Sequence, residues 1–301
     1  MVESAISLRT SGRLRRRQLL SHFMGALAIT AALLAVSVLA IVVISVGRRG
    51  AGALNLAFFT QNEPVGWNAS GGGVLFAIVG TGILVGIATL IALPLGVLVA
   101  IYVSEIASPR LARVARLALD ITNGIPTIVI GVFVYVMVVQ NGFLGIIPRG
   151  QSALAGSIAF AIIMLPLVAR ATEEVLLLVP ASHREASLAL GASRWRTTLK
   201  VVVPSALGGI FTGTTLAIAR AAGETAPLLF LSSLGSNNQV ATNPLHPMWS
   251  LTLVIFEYAD YPDPASHEKA WAAAFILMCF VLLTSLAAKL ALARYRRKLG
   301  G

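Results

Sequence analysis

Arg184–Pro204, REASLALGASRWRTTLKVVVP, decides how the rest of the chain is read. It lies between two apolar runs, yet it carries Glu185 together with Arg184, Arg194, Arg196 and Lys200. Locally it predicts two short helices around a glycine hinge. Pro180 stops the helix before it, Ser182 is placed to cap a new one, and Glu185 three residues on completes a capping box. Gly191 ends that helix by taking a left-handed backbone. Ser193 is placed to cap the next, which runs up to Pro204. The first helix, roughly eight residues, is about 12 Å long and too short to persist alone in water. Held between two membrane spans, such a helix suits docking into another protein; an ordinary helical loop is the plainer alternative.

Outward from this stretch the chain is apolar: 57% hydrophobic and 12% charged, with a mean hydropathy of +0.85. A soluble domain carries charge on about 25% of its residues, so the bulk of these 301 residues belongs in a membrane. The single cysteine, Cys279, lies in an apolar run, which excludes a disulfide framework and a thiolate metal cluster. The net charge of +11 would suit nucleic acid, but its placement argues for a membrane instead.

The predicted fold class is all-α: a polytopic membrane protein of six transmembrane helices with a cytoplasmic helix in its central loop. Residues 1–18 form a cytoplasmic basic tail ending in Arg13, Arg15, Arg16 and Arg17, and 19–301 form a single transmembrane domain whose central loop is 172–204. The first span, about 22–46, exceeds the apolar core of a signal peptide, about 7–15 residues, and is long enough for a bilayer needing about 20. The second, about 74–103, contains Pro94 as a kink site, with Gly82 and Gly86 as a small-residue packing face. A short loop at 105–116 precedes the third, about 121–139, which opens with Asn123-Gly124-Ile125-Pro126. A polar turn at 140–152 leads to the fourth, about 153–168, continued as helix through Glu173 and Glu174. The fifth, 205–231, repeats the small-residue pair at Gly209 and Gly213. The apolar segment 248–258 is too short to cross and suits an interfacial or re-entrant helix. The last span is about 270–292.

Lysine and arginine test this topology. Eighteen fall on the side of the termini and the loop at 184–204, four (Arg48, Arg49, Arg149, Lys269) on the other, and Arg220 alone inside a span. The positive-inside rule makes the termini and that loop cytoplasmic, and no nucleic-acid partner is needed to explain the basic excess.

Arg220 and Glu224 sit within the fifth span, four residues apart and on one helical face. Arg220 falls roughly 24 Å beyond Pro204 along the axis, where an ionisable group costs about 2.5–3.5 kcal/mol. It belongs in the bundle interior or on a water-filled path. Two readings stand: a pore-lining pair that handles an anion, or a self-neutralised pair holding helices together. Arg170, Glu173 and Glu174 close the fourth helix, either as a gating element or as a solvated end with local ion pairs. Arg194, Trp195 and Arg196 suit an acidic protein surface or lipid headgroups. Catalytic signatures are missing. None of the four lysines is followed by Ser or Thr, so there is no P-loop. His267-Glu268 meets Trp271 where a zinc protease has its second histidine, and no G-x-S-x-G elbow occurs. The chain reads as a non-enzyme.

Glu185-Ala186-Ser187, Gly191 and Val201-x-Val203-Pro204 resemble the E-A-A-x3-G-x9-I-x-L-P signature of ABC-importer permeases, with Ser for the third residue and Val for Ile and Leu. Further stretches resemble the PstA-type permeases of phosphate-specific importers: Gly71-Gly72-Gly73, NGIPTIVIGVFVY at 123–135, IIMLPLVARATEEVLLLVP at 162–180, ALGASRWRT at 189–197 and AIARAAGETAPLLF at 217–230. The resemblance implies a type I importer permease translocating inorganic phosphate by alternating access. Glu185, Ala186, Gly191, Arg194, Trp195, Arg196 and Pro204 would form its coupling element at 182–204, making the central loop 172–204 the coupling loop and its helix the cytoplasmic coupling helix. It also implies a PstC-like permease as heterodimer partner, a PstB-like ATPase dimer holding ATP and magnesium, and a PstS-like phosphate-binding protein. No cofactor would bind this chain itself. The implied location is a bacterial or archaeal plasma (inner) membrane. The same machine acting on phosphonate, sulfate or molybdate, and an ion-coupled carrier working alone, are the rival readings.

Overall fold

The computed structural model describes residues 12–62, 72–142, 149–232 and 239–299. Residues 1–11 of the basic tail, Gly71 and part of the polar turn at 140–152 lie outside them. The described residues up to Arg48 form one compact unit and those from Arg49 onward another.

The helices follow in chain order. α1 (Gly12–Gly50) is 39 residues long, and no residue of its most apolar window is buried. α2 (Leu56–Thr60) is capped by Asn55, whose side chain accepts from the Phe58 amide. α3 (Leu75–Ile101) runs through Pro94 and ends in a π-helical turn, Tyr102–Ile106. α4 (Pro109–Gly124) and α5 (Thr127–Val134), the latter extended by a π-helical Tyr135–Gln140, bend by 96° at Ile125-Pro126. α6 (Ala153–Leu177) is the central helix, with 67% of its apolar window buried. α7 (Ala181–Ala189) and α8 (Arg194–Thr197) form the loop, and a π-helical Thr198–Val202 joins α8 to α9 (Val203–Ala222). α10 (Ala226–Leu231), α11 (Leu251–Asp260) and α12 (Pro264–Leu299) complete the order. Among the described residues, five helices are long and apolar enough to cross a membrane, six if the bent pair counts as one span.

The bend and its neighbour are written by prolines. Pro126 has no N–H to give Thr122, and it holds Ile125 extended at φ −70°, ψ 130°. The third span is therefore not one helix over 121–139. Nor is 105–116 a loop: Ser108 caps α4 by accepting from Leu111, with Pro109 at the first turn. The fifth span is also interrupted. A helix through Gly223 would need an N–H from Pro227, so the chain opens at 223–225 and restarts as α10. Pro204, by contrast, does not end its helix. The wide turn at 198–202, with the Val203 amide bonding back to the Thr198 carbonyl, takes the proline in without a broken ladder.

α6 packs between α3 and α9. Gly209 and Gly213 of α9 lie against Val175 and Ala171 of α6, so close that a Cβ at either would collide. Gly82 and Gly86 meet nothing within 4 Å. The tight approaches of α3 come instead at Gly80, against the Trp249 carbonyl, and at Gly96, where a Cβ would lie 2.8 Å from Val168 Cγ1. α11, about 15 Å long, packs on α3 and α12 rather than crossing; Thr81 accepts from the Leu251 amide at 2.9 Å. One apolar cluster centres on α6, a second joins α2, α3, α11 and α12, and a third gathers Ile101, Leu176, Val202 and Ile210 beside the loop.

Candidate functional site

The loop is built around Gly191, whose φ of +83° only glycine adopts without strain. The Gly191 amide bonds to Leu188 O and the Ala192 amide to Ser187 O, which makes the hinge a Schellman cap of α7. Ser193 caps α8 by accepting from Arg196. The capping box on Ser182 and Glu185 does not form. α7 starts after Pro180, whose extended backbone turns its carbonyl to the His183 amide and places Ser182 inside the helix. Ser187 and Thr197 hydroxyls meet at 2.9 Å and lock α7 to α8. Glu185, Ala186, Gly191, Arg194, Trp195 and Arg196 are all exposed, as is Leu190 at 89%. This is an apolar and basic surface left open by the chain itself. Pro204 lies beyond it, in the first turn of α9.

Above the loop an ionic cluster joins α4 to α6. Glu173, 3% exposed, accepts from Arg116 Nε at 2.5 Å and from Arg170 Nη1 at 3.2 Å; Arg170 also pairs with Asp120. The local ion pair read from the sequence, Arg170 to Glu173, is present within α6, and Arg116 and Asp120 extend it into bridges to α4. Glu174 points away and is exposed. Arg116 and Asp120 do not stand out in the sequence, where 105–116 reads as a loop. Their four-residue spacing after a Ser-Pro helix start was the available signal.

At the other end of α9, Arg220 closes the last turn and Glu224 stands in the break behind it. The two are not on one continuous helix face, yet Arg220 Nε lies 3.8 Å from Glu224 Oε1. Thr127, the first residue of α5, donates to Glu224 Oε2 at 3.0 Å, and Thr252 donates to the Glu224 carbonyl at 3.2 Å. Pro227 seats against Gly131, which fixes α10 beside α5. Arg220 keeps 45% of its side-chain surface open, against 20% for Glu224. A half-open guanidinium, a carboxylate and a hydroxyl thus converge where two helices are interrupted. Unwound backbone at membrane depth is tolerated only against protein or a watered cavity. Such a group is able to hold an anion loosely by charge-assisted hydrogen bonds. Among the described residues no cluster of three metal-ligating side chains occurs.

These features define a class: the sequence profile of binding-protein-dependent transport system inner membrane components matches residues 92–297. The fold agrees. A bacterial ABC transporter involved in the import of the acidic polysaccharide alginate superposes with a TM-score of 0.64 at 13% identity, over 93% of this chain and 99% of that one. Among curated proteins, the phosphate transport system permease protein PstA of Yersinia pestis is 40% identical over 247 residues, 82% of this chain and 81% of its own. PstA 1 of Mycobacterium tuberculosis is 40% identical over 219 residues, 72% of this chain and 69% of its own. The chain belongs to the PstA family of transport permeases.

Proposed function

We propose that this chain is the membrane-spanning subunit of an ATP-driven importer that passes inorganic phosphate into the cytoplasm by alternating access. The observation that carries the reading is the union of two features in one α9 segment. Its cytoplasmic approach is the exposed hinge of α7 and α8, and its far end is the Arg220–Glu224–Thr127 group at a helix break. A push on the hinge is relayed by a single helical body to the place where a polar side chain meets passing substrate.

In this reading a separate ATPase dimer holds ATP and magnesium and seats the loop at 182–204 through Glu185, Ala186, Arg194, Trp195 and Arg196. Closure of that dimer rotates α9 and its packed neighbour α6. Arg220 offers phosphate a transient positive partner, while Glu224 keeps the guanidinium oriented and holds it from binding too tightly. The bridges of Arg170 and Glu173 to α4 keep the cytoplasmic ends together as the helices move. A second, related permease shares the path, and a phosphate-binding protein delivers from outside. The exposed apolar surfaces of α1, α5 and α12 suit lipid and that partner. The charge asymmetry supports cytoplasmic termini in a plasma (inner) membrane.

Labelled-phosphate uptake by proteoliposomes holding the purified complex tests this. Uptake should require ATP on the side that carries the ATPase and should fail without it. Uptake driven by an ion gradient with no ATPase present would point to a lone carrier. ATP-dependent uptake of sulfate or molybdate but not phosphate would point to another oxyanion.

A further inference from the structure

α7 has no buried residue, so apolar burial does not fasten this helix to the bundle. Arg184 does. Its Nη1 donates to the Val179 carbonyl at 2.6 Å, and its Nη2 donates to the Leu176 carbonyl at 2.9 Å and to Glu105 Oε1 at 2.8 Å. Leu176 lies in the last turn of α6, where its carbonyl also takes the Val179 amide at 3.3 Å, and Val179 follows in the turn after it. Glu105 lies in the π-helical turn that ends α3. One guanidinium therefore gathers the start of α7 and the ends of α3 and α6. Those two helices make the most extensive pairing among the described elements. The ion pair is largely shielded, at 25% and 14% exposure, where charge-assisted bonds are stronger than in open water. Among the described residues, the other side-chain hydrogen bond of α7, Ser187 to Thr197, leads to α8 and onward to α9.

We propose that Arg184, with Glu105 as its counter-charge, is the positioning residue that carries movement of the loop into the α3–α6 pair. It acts in parallel with the covalent route through α8 into α9. The inference rests on the coupling reading above. Without this tie, α7 tilts between Pro180 and Gly191 while α3 and α6 stay where they are. Hydrolysis then proceeds with little transport.

The test uses the full importer, this chain with its partner permease, ATPase and binding protein, in proteoliposomes. ATP hydrolysis and labelled-phosphate uptake are read on the same preparation for wild type, Arg184→Gln, Arg184→Lys and Glu105→Gln. All variants should co-purify with the ATPase and hydrolyse ATP near the wild-type rate. Phosphate moved per ATP should fall about ten-fold in Arg184→Gln, the scale of one charge-assisted hydrogen bond. It should fall less in Arg184→Lys, which keeps charge but loses the fork, and in Glu105→Gln, which keeps the carbonyl bonds. Should Arg184→Gln fail to assemble, the ratio in Glu105→Gln decides. A wild-type ratio in Arg184→Gln and Glu105→Gln overturns the proposal. So does a parallel loss of hydrolysis and uptake, which would make Arg184 part of the ATPase seat. Uptake by wild type with no ATPase present would instead bring down the coupling reading, and this inference with it.

Discussion

Glu173 is the one charged side chain buried among the described residues, and it lies between two arginines that are not buried. The asymmetry sets the direction of mutational effects. Removing both guanidinium groups (Arg116→Ala with Arg170→Ala) leaves a buried carboxylate uncompensated and should cost about 3–5 kcal/mol. Glu173→Gln leaves arginines that reach water, and should cost only about 1 kcal/mol. Thermal unfolding of the purified chain in detergent checks the order of the two. Arg220 is the opposite case, half-open and loosely paired, so its removal should spare the fold. Arg220→Gln should stop phosphate uptake while expression and complex assembly stay at wild-type levels; normal uptake would contradict its placement on the path. Arg220 and Glu224 were legible in the sequence because ions inside an apolar span are conspicuous. Glu105, Arg116, Asp120 and Thr127 were not, since their meaning lies in partners 50 to 97 residues away, as Asp120–Arg170 and Thr127–Glu224 illustrate.

At the scale of elements, small residues decide which helices approach and where the chain hinges. Gly213→Leu should force α9 off Ala171 of α6 and destabilise the chain by about 1–3 kcal/mol or more. Gly82→Ala and Gly86→Ala, with open space around them, should leave the melting temperature of the isolated chain unchanged. Any loss they cause should appear only in the assembled complex. Gly191→Ala places a side chain on a left-handed backbone and should cost about 1–2 kcal/mol locally. It should lower uptake more than it lowers the melting temperature, because the strain falls on the hinge. The α7–α8 cap and hinge were readable from Gly191 and Ser193 alone. The small-residue motif was readable in kind but not in place: sequence spacing equates the Gly82/Gly86 pair with Gly209/Gly213, and only the packing of α6 tells them apart. Prolines misled in both directions. Pro126 and Pro227 break helices that hydropathy joins, whereas Pro204 passes through a π-helical turn that hydropathy does not reveal.

For the whole molecule, composition and apolar runs sufficed to give an all-helical membrane protein, and the resemblance carried by the twenty-one-residue loop sufficed to suggest a permease with a separate motor. The fold adds how α9 links them, running from the exposed hinge to the group around Arg220. The account depends on that hinge meeting a nucleotide-hydrolysing partner. The most direct measurement is cross-linking from a cysteine at the hinge, Leu190→Cys in a Cys279→Ala background, within the intact complex. The account predicts a cross-link to the ATPase subunit whose yield changes when ATP is bound. Cross-links to lipid or solvent-borne reagent alone, with no ATPase captured in any nucleotide state, would contradict it.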